Sequence, residues 1–535
     1  MIPYLNLNRD ESVKWVLIAS ISVLGCLMTV KPIIDMVSIL KPALEGGQAA
    51  KYKRLAEALA ARIHDGSIAG GAKLPPHRLL ADKLGVTAGT VSRSYAELER
   101  IGLVVARVGD GTFVRKRGLE RSRDRGFKNF IDEPHPCIDM SRSTHIPGQE
   151  AAMLARSLEE LAGDAETLRE LTLYTPDLGS ARHRQAGARW LTHGDFRVEP
   201  EQIVCVNGGQ HGLLCALMAL LRAGDILVTE RLTYPGLISA ARLLGIKLIG
   251  IEMDEEGLMP QALLEVCRTH RVSALYCTPS IQNPTTAVLS ADRREAIARI
   301  CRAHNVLIIE DEAHGVLMAN RPPPISLFAP ERGIVIGSLS KVVAAGLRVG
   351  YVHAPLPLIG RFSAAVRSTC WMATPLSMEL ASRWIEQGVA QTLVRQQAAE
   401  LERRKHLVES YLAGLNYMTH PQSPHFWIEV PAPGRASDVQ AVLGQQNCLV
   451  SAADLFAVGQ SVVPQFVRAS VSNTGERDEL LQTGFAALSA TLRQHAPRNP
   501  NHFRKAQSLF CEPSSTPTSP ESDPYKDTQP ASYKA

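Results

Sequence analysis

The stretch Ser338-Leu-Ser-Lys341-Val-Val-Ala-Ala-Gly-Leu-Arg348-Val-Gly350 constrains this chain more than any other. It follows Ile334-Val-Ile336, an apolar, β-branched run that reads as a buried strand. A lysine just past a core strand, with hydroxyls before it and an arginine after it, suits a phosphorylated carbonyl compound. The amine can bond the carbonyl carbon once burial or a neighbouring cation lowers its pKa. Ser338, Ser340 and Arg348 can together hold a phosphate dianion, with Arg348 gripping two oxygens. The same residues also fit an ordinary strand-to-loop turn with a solvated lysine, so the decision rests on what the rest of the chain supplies.

At 535 residues the chain has room for two or more domains. A hydrophobic share of 45% and a charged share of 21% belong to an ordinary globular protein. The 58 basic and 53 acidic residues leave a net charge of only +5, so any nucleic-acid surface must be local. The ten cysteines are scattered, with no Cys-x-x-Cys pair. Cys205, Cys215, Cys277 and Cys301 sit in apolar runs and read as small buried hydrophobes in a reducing compartment. Their pattern offers no metal site.

The periodicity predicts four further segments around a large one. Residues 49–117 begin with Tyr52–Ile63, apolar at helical spacing, closed by Asp65-Gly66. A short helix, Leu74 to Leu84, then leads through Gly85 to a second helix capped by Thr87. Leu103–Val114 alternates around a turn as a β-hairpin. Residues 118–137 are rich in Arg and Lys without periodicity and read as a flexible basic linker. Residues 496–535 are too poor in apolar side chains to pack and are expected to be disordered. Residues 1–48 hold an uncharged apolar run, Trp15–Val30, that falls short of the roughly 20 residues of a membrane span. Its basic flank, Arg9 and Lys14, imitates a signal peptide, and a translation start near Met28 or Met36 is the preferred explanation.

The order L-P-x-x-R-x-L-A-x-x-L-G-V-T…T-V…Y-x-x-L, followed by R-x-G-x-G-T-F-V, resembles the GntR-type winged helix. By that resemblance Arg78, Thr87, Thr90 and Ser92 approach phosphates or base edges of a double-stranded DNA operator, with Arg107 and Gly109 at the wing; Arg93 is a further DNA-binding candidate that can compensate for a departure from the family pattern. One position departs. The arginine that commonly follows the Thr87-like residue is here Ala88-Gly89.

From about 138 to 495, apolar strands alternate with helical stretches, which predicts a mostly parallel sheet with helices on both faces. Ligands of such sheets sit at the carboxyl ends of the strands, where the polar candidates lie. Asn207-Gly-Gly-Gln210 follows one strand and opens a helix, a ready phosphate site. Tyr234, Asn283 and Asp311 follow later strands and offer a stacking ring, an amide and a carboxylate, although Asp311 also fits a helix N-cap. Arg468 lies on a late strand and can pair with a carboxylate.

Taken together with S-x-S-K-x(6)-R, these parts resemble the fold type I pyridoxal-phosphate enzymes, the aspartate aminotransferase superfamily. The resemblance implies a large α/β domain with a smaller C-terminal lobe. It implies phosphate binding by Gly209, Gln210, Ser338 and Arg348, ring stacking by Tyr234, and contact of Asn283 with the cofactor's O3′. It further implies Asp311 at the pyridine nitrogen, the covalent link at Lys341 and carboxylate binding by Arg468. Tyr174 matches a tyrosine that reaches the neighbouring subunit's phosphate, so a homodimer is implied. Two positions depart: His314 stands where a tyrosine commonly serves O3′, and Thr286 replaces the glycine of N-P-T-G.

A GntR-type winged helix joined to an aminotransferase-like domain is the architecture of the MocR subgroup. The expectation is a cytoplasmic, pyridoxal-phosphate-dependent regulator that senses an amino compound or the cofactor itself. An active aminotransferase with a DNA-binding appendage is the alternative.

Overall fold

A computed structural model describes residues 40–44, 50–64, 67–69, 71–107, 111–114, 137–459 and 463–495. The apolar run near the N-terminus, Asp65-Gly66, Gly109, the basic segment 118–136 and the tail from 496 lie outside the described residues.

The N-terminal module has three helices, α1 (Lys51–His64), α2 (His77–Leu84) and α3 (Ala88–Arg100), followed by β1 (Val104–Arg107) and β2 (Gly111–Val114). The two strands pair antiparallel, with Val104 opposite Val114. Gly85 ends α2 in the left-handed region at φ 66°, where glycine carries no steric penalty. Leu55, Leu59, Leu80, Val91, Leu98 and Val104 form its core, which reaches back to Leu40. The buried Tyr95 hydroxyl donates to Pro75 O at 2.9 Å, so the phenol enters the core with its polar tip satisfied. Thr87 caps α3, its Oγ1 accepting from the Thr90 amide at 3.2 Å. Thr87→Ala removes that acceptor and is expected to lower the stability of this module by about 1 kcal/mol. The midpoint of its unfolding transition, followed by calorimetry, reads the change.

The large domain is built on a seven-stranded sheet. Its strands are β3 (Ile203–Val206), β4 (Ile226–Glu230), β5 (Lys247–Ile251), β6 (Val272–Cys277), β7 (Leu307–Asp311), β8 (Gly333–Ser338) and β9 (Gly350–His353). Their order is β3-β9-β8-β7-β6-β4-β5. Neighbours pair in parallel except at β9, which runs antiparallel to both β8 and β3. A sheet buried on both faces needs near-continuous apolar strands, and β3 and β8 are buried throughout. Ile334 and Ile336 pack on one face with Leu213, Leu237 and Phe362. Val335 points the other way, toward Trp190, Tyr351 and Trp384. The mostly parallel sheet read from the sequence is therefore present, with strand ends shifted by a residue or two.

A smaller lobe carries the antiparallel strands β10 (Tyr417–Met418), β11 (His425–Glu429), β12 (Ser451–Ala452) and β13 (Phe466–Ser470), in the order β10-β11-β13-β12. Ile138–Asp139 pairs in parallel with Cys448–Leu449, so the first described residues after the basic segment belong to this lobe. The Ser470 amide donates to Met140 O at 2.8 Å and extends that attachment.

Candidate functional site

The carboxyl ends of β3, β6, β7 and β8 deliver their loops to one place. Helix α4 (Gly209–Leu220) starts directly after β3, and Gly208 makes the turn at φ 86°. A Cβ on Gly208 would meet Arg348 Nη2 at 2.6 Å, and one on Gly209 would stand 3.3 Å from Ser338 Cβ. The first turn of α4, the Arg348 guanidinium and Ser338 thus share one concave space. Arg348 donates to Ser340 Oγ at 3.0 Å, and the Ser340 amide donates to Ser338 Oγ at 3.1 Å. Gln210 donates to Gly236 O at 3.4 Å, beside the Tyr234 ring, and its Oε1 is buried without a hydrogen-bond partner.

Asp311 ends β7. Its carboxylate accepts from the Tyr276 hydroxyl at 2.9 Å and from the Ala313 amide at 3.1 Å, and burial raises its pKa above the ordinary value. Asn283 accepts from Arg468 Nη1 at 2.7 Å, while Arg468 Nη2 donates to Ser141 O at 2.5 Å. The Arg468 guanidinium lies 4.8 Å from the centre of the Phe456 ring. Lys341 donates to Ser143 O at 2.5 Å.

The electrostatics prepare Lys341 to react as an amine. Burial first, then the positive charges of Arg468 and Arg348, push its pKa down to about 8, against an opposing pull from Asp311. At pH 7 roughly one amine in ten is then neutral, against about one in three thousand for an unshifted lysine. The rate of capture of an added carbonyl cofactor is expected to rise about tenfold per pH unit below 8 and to level off above it. Arg468→Gln removes a nearby cation and is expected to move that midpoint upward. A stopped-flow absorbance series across pH checks both, and a flat profile contradicts them.

His314 stays neutral at physiological pH. Burial, followed by Lys341 and Arg468, pushes its pKa down to about 3. Its Nε2 is buried without a hydrogen-bond partner. The ring stands edge-on to His425, with centroids 6.4 Å apart. His425 is held at Nε2 by Pro284 O at 3.0 Å, which fixes the proton there and leaves Nδ1 as an unpartnered acceptor. Thr286, in the position commonly held by glycine, has a positive φ of 67° while buried. A β-branched residue there is strained, so Thr286→Gly is expected to stabilise the domain by about 1 kcal/mol. Urea unfolding reads it.

The structure thus brings together Lys341, Asp311, Asn283, Arg468, His314, Ser338, Arg348, Gly209, Gln210 and Tyr234. Tyr174 is not among them. It is 81% exposed and leans on Trp371, itself 58% exposed, with ring centroids 6.2 Å apart. In the N-terminal module Arg78, Thr87 and Arg93 are exposed, whereas Thr90 and Ser92 are half-buried. Arg107 is described only through its backbone pairing with Gly111, and Gly109 lies outside the described residues. Sequence reasoning missed Tyr276, His425 and the carbonyls of Ser141 and Ser143. A phenol inside an otherwise apolar parallel strand was the available signal for Tyr276, because a buried hydroxyl needs a partner.

These residues fit pyridoxal phosphate. The space framed by Gly208, Gly209, Ser338 and Arg348 suits a phosphate. The unpartnered polar atoms of Gln210, His314, His425, Ser143 and Arg468 mark a polar site rather than a dry core.

Comparison with known proteins agrees with this geometry. The profile "Aminotransferase class I and II" matches residues 146–483, and "Bacterial regulatory proteins, gntR family" matches residues 51–114. The uncharacterized HTH-type transcriptional regulator YdeF of Bacillus subtilis is 29% identical over 83% of this chain and 94% of its own. The HTH-type pyridoxine biosynthesis transcriptional regulator PdxR of Corynebacterium glutamicum is 31% identical over 57% of this chain and 66% of its own. Among solved structures, an archaeal alanine:glyoxylate aminotransferase superposes with a TM-score of 0.62 at 21% identity, over 68% of this chain and 92% of that one.

Proposed function

Because the chain belongs to the class I and II aminotransferase family and carries a gntR-family helix-turn-helix ahead of that domain, the MocR architecture, we propose that it is a pyridoxal-phosphate-dependent, DNA-binding transcriptional regulator. The observation that carries this reading is the presence in one chain of a helix-turn-helix whose second helix keeps an exposed face and of a half-buried lysine whose pKa is lowered. The names of its relatives as transcriptional regulators support it. Such a protein works in the cytoplasm, and among the described residues no helix is long and apolar enough to cross a membrane.

Bound pyridoxal phosphate supplies an electrophilic carbonyl and a ring that withdraws electrons from an attached amino group. The residues of this chain do the rest. Lys341 offers its amine to the carbonyl. The first turn of α4, Ser338 and Arg348 hold the phosphate, and Asp311, oriented by Tyr276, keeps a proton at the ring nitrogen. Asn283 and the neutral His314 would lie toward O3′ of the bound cofactor, and Tyr234 would supply the ring that stacks on it. Arg468 pairs with the carboxylate of an amino-acid-like effector, so the large domain acts as the sensor. Ligand control of DNA binding then requires that the effector bind two arrangements of the protein unequally. The exposed pair Tyr174–Trp371, with Leu173 (56% exposed) beside it, supports a homodimer in which a second copy covers these rings.

A second reading, an aminotransferase that turns over, is favoured by one observation: His314 is neutral and can still serve O3′. One experiment separates the two. Purified protein is expected to show a visible absorbance band that Lys341→Ala abolishes, and candidate amino acids are then added. A persistent spectral shift without release of a 2-oxo acid supports the sensor. Stoichiometric 2-oxo acid supports the enzyme, and absence of the band rejects both. Operator affinity tests DNA binding separately; an Arg78→Ala protein that binds as tightly as wild type contradicts it.

A further inference from the structure

Most polar side chains of α3 are already committed inside the protein. Thr90 Oγ1 lies 3.0 Å from Thr87 Oγ1, and Ser92 Oγ lies 2.9 Å from His77 Nδ1. Ser94 donates to Tyr52 O at 2.8 Å and to Thr90 O at 2.9 Å. Glu97 holds Arg100 at 2.5 Å, and Glu99 accepts from the Ala106 amide at 3.1 Å. Arg93 differs. It is exposed and makes no hydrogen bond or ion pair with any described residue.

The rest of the exposed face is nearly bare. Ala88, Gly89 and Ala96 are exposed alongside Arg93. Residues 89, 93 and 96 follow helical spacing and share one ridge. A Cβ on Gly89 would meet only Thr87 Oγ1, at 3.8 Å, so the fold has room for a side chain and does not require glycine there. From its first residue to its third turn, the helix that enters the major groove therefore presents two methyl groups, one guanidinium and a gap.

We propose that α3 reads a half-site containing one guanine, gripped by Arg93, beside A·T pairs whose thymine methyls meet Ala88 and Ala96. Gly89 lets the helix backbone sit close to the groove floor. The chemistry follows from the edges that base pairs display. Arginine pairs bidentately with guanine O6 and N7, and alanine methyls contact the thymine 5-methyl. Ser92 then positions His77 instead of touching a base. The inference rests on the DNA-binding reading above and refines what that DNA is.

The test is a selection of binding sites from random-sequence duplexes by the full-length, cofactor-loaded protein, followed by anisotropy titrations. Wild type is expected to enrich paired half-sites, each with a single invariant G·C pair among A·T pairs. Arg93→Ala is expected to lose about 5- to 150-fold in affinity for the selected site and all preference at that pair. Deoxyuridine in place of the flanking thymines removes only the methyl and is expected to weaken wild type about fourfold per methyl lost. Ala88→Gly should lose sensitivity to one of those replacements. A uniform loss by Arg93→Ala, with base preference intact, overturns the proposal and makes Arg93 a phosphate contact. Enriched half-sites rich in G·C overturn it as well. Protein that enriches no sequence while retaining its cofactor band overturns the DNA-binding reading itself. Circular dichroism of each variant at matched temperature separates misfolding from lost contact, and Arg93→Gln, which keeps the length of the side chain without its charge, supplies a folded comparison expected to lose the guanine preference.

Discussion

Arg294→Met is expected to destabilise the large domain by about 3–5 kcal/mol. Arg294 is completely buried. Its guanidinium donates to Leu289 O at 2.9 Å, Pro279 O at 2.7 Å, Ser280 Oγ at 2.9 Å and Pro323 O at 3.3 Å. It also lies 3.4 Å from Glu312, which is 3.2 Å from Arg321. Methionine fills a similar volume but leaves these acceptors in a dry interior, and each unsatisfied group costs about 1–3 kcal/mol. Because Pro279, Ser280 and Leu289 bracket Asn283, the same substitution is expected to weaken cofactor binding. Urea unfolding followed through the buried Trp190, Trp384 and Trp427 measures the stability. A loss below 1 kcal/mol would mean that the two loops hold their shape without this anchor.

Gly350→Ala is expected to lower cofactor affinity tenfold or more, about 1.4 kcal/mol. The added Cβ would stand 2.8 Å from the Gly208 carbonyl carbon and 3.1 Å from the Gly209 nitrogen. Those atoms are backbone, so they can yield only if the turn that starts α4 moves, and that turn forms the phosphate space. Gly346→Ala is the control, because nothing lies within 4 Å of its Cβ. Absorbance titration of cofactor-free protein compares the two, and equal affinities would show that the turn does not set the grip.

Much of this was legible in the sequence because the relevant signals are local. Strands buried on both faces must be apolar runs, and β3 and β8 announce themselves that way. The polar residues at the carboxyl ends of strands, Asp311 ending β7 and Lys341 just past β8 among them, follow at short and recognisable distances. What the sequence hid is long-range. Nothing near Ser141 shows that its carbonyl meets Arg468, because β13 and the first residues of the domain are brought together only by the closing of the smaller lobe. The backbone state of Thr286 was equally hidden: a threonine in the sequence gives no sign that its residue adopts a positive φ. His314 was ambiguous as a residue type, since an imidazole takes its charge from its surroundings. Only the burial and the adjacent cations decide that it is neutral.

The bond between Arg468 and Ser141 O has a consequence for how strongly any effector can bind. Under the proposed role of Arg468, a carboxylate finds its Nε unpartnered but reaches Nη2 only by displacing the Ser141 carbonyl, a partner that the chain supplies at high effective concentration. Ser141 also lies only a few residues beyond Cys137, where the segment leading from the DNA-binding module enters the described fold. That entry point does not hang on one bond: Ile138–Asp139 stays paired with Cys448–Leu449, and Ser141 O also accepts from Ser451 Oγ at 3.0 Å, so loss of the Arg468 bond leaves the start of the domain held in place.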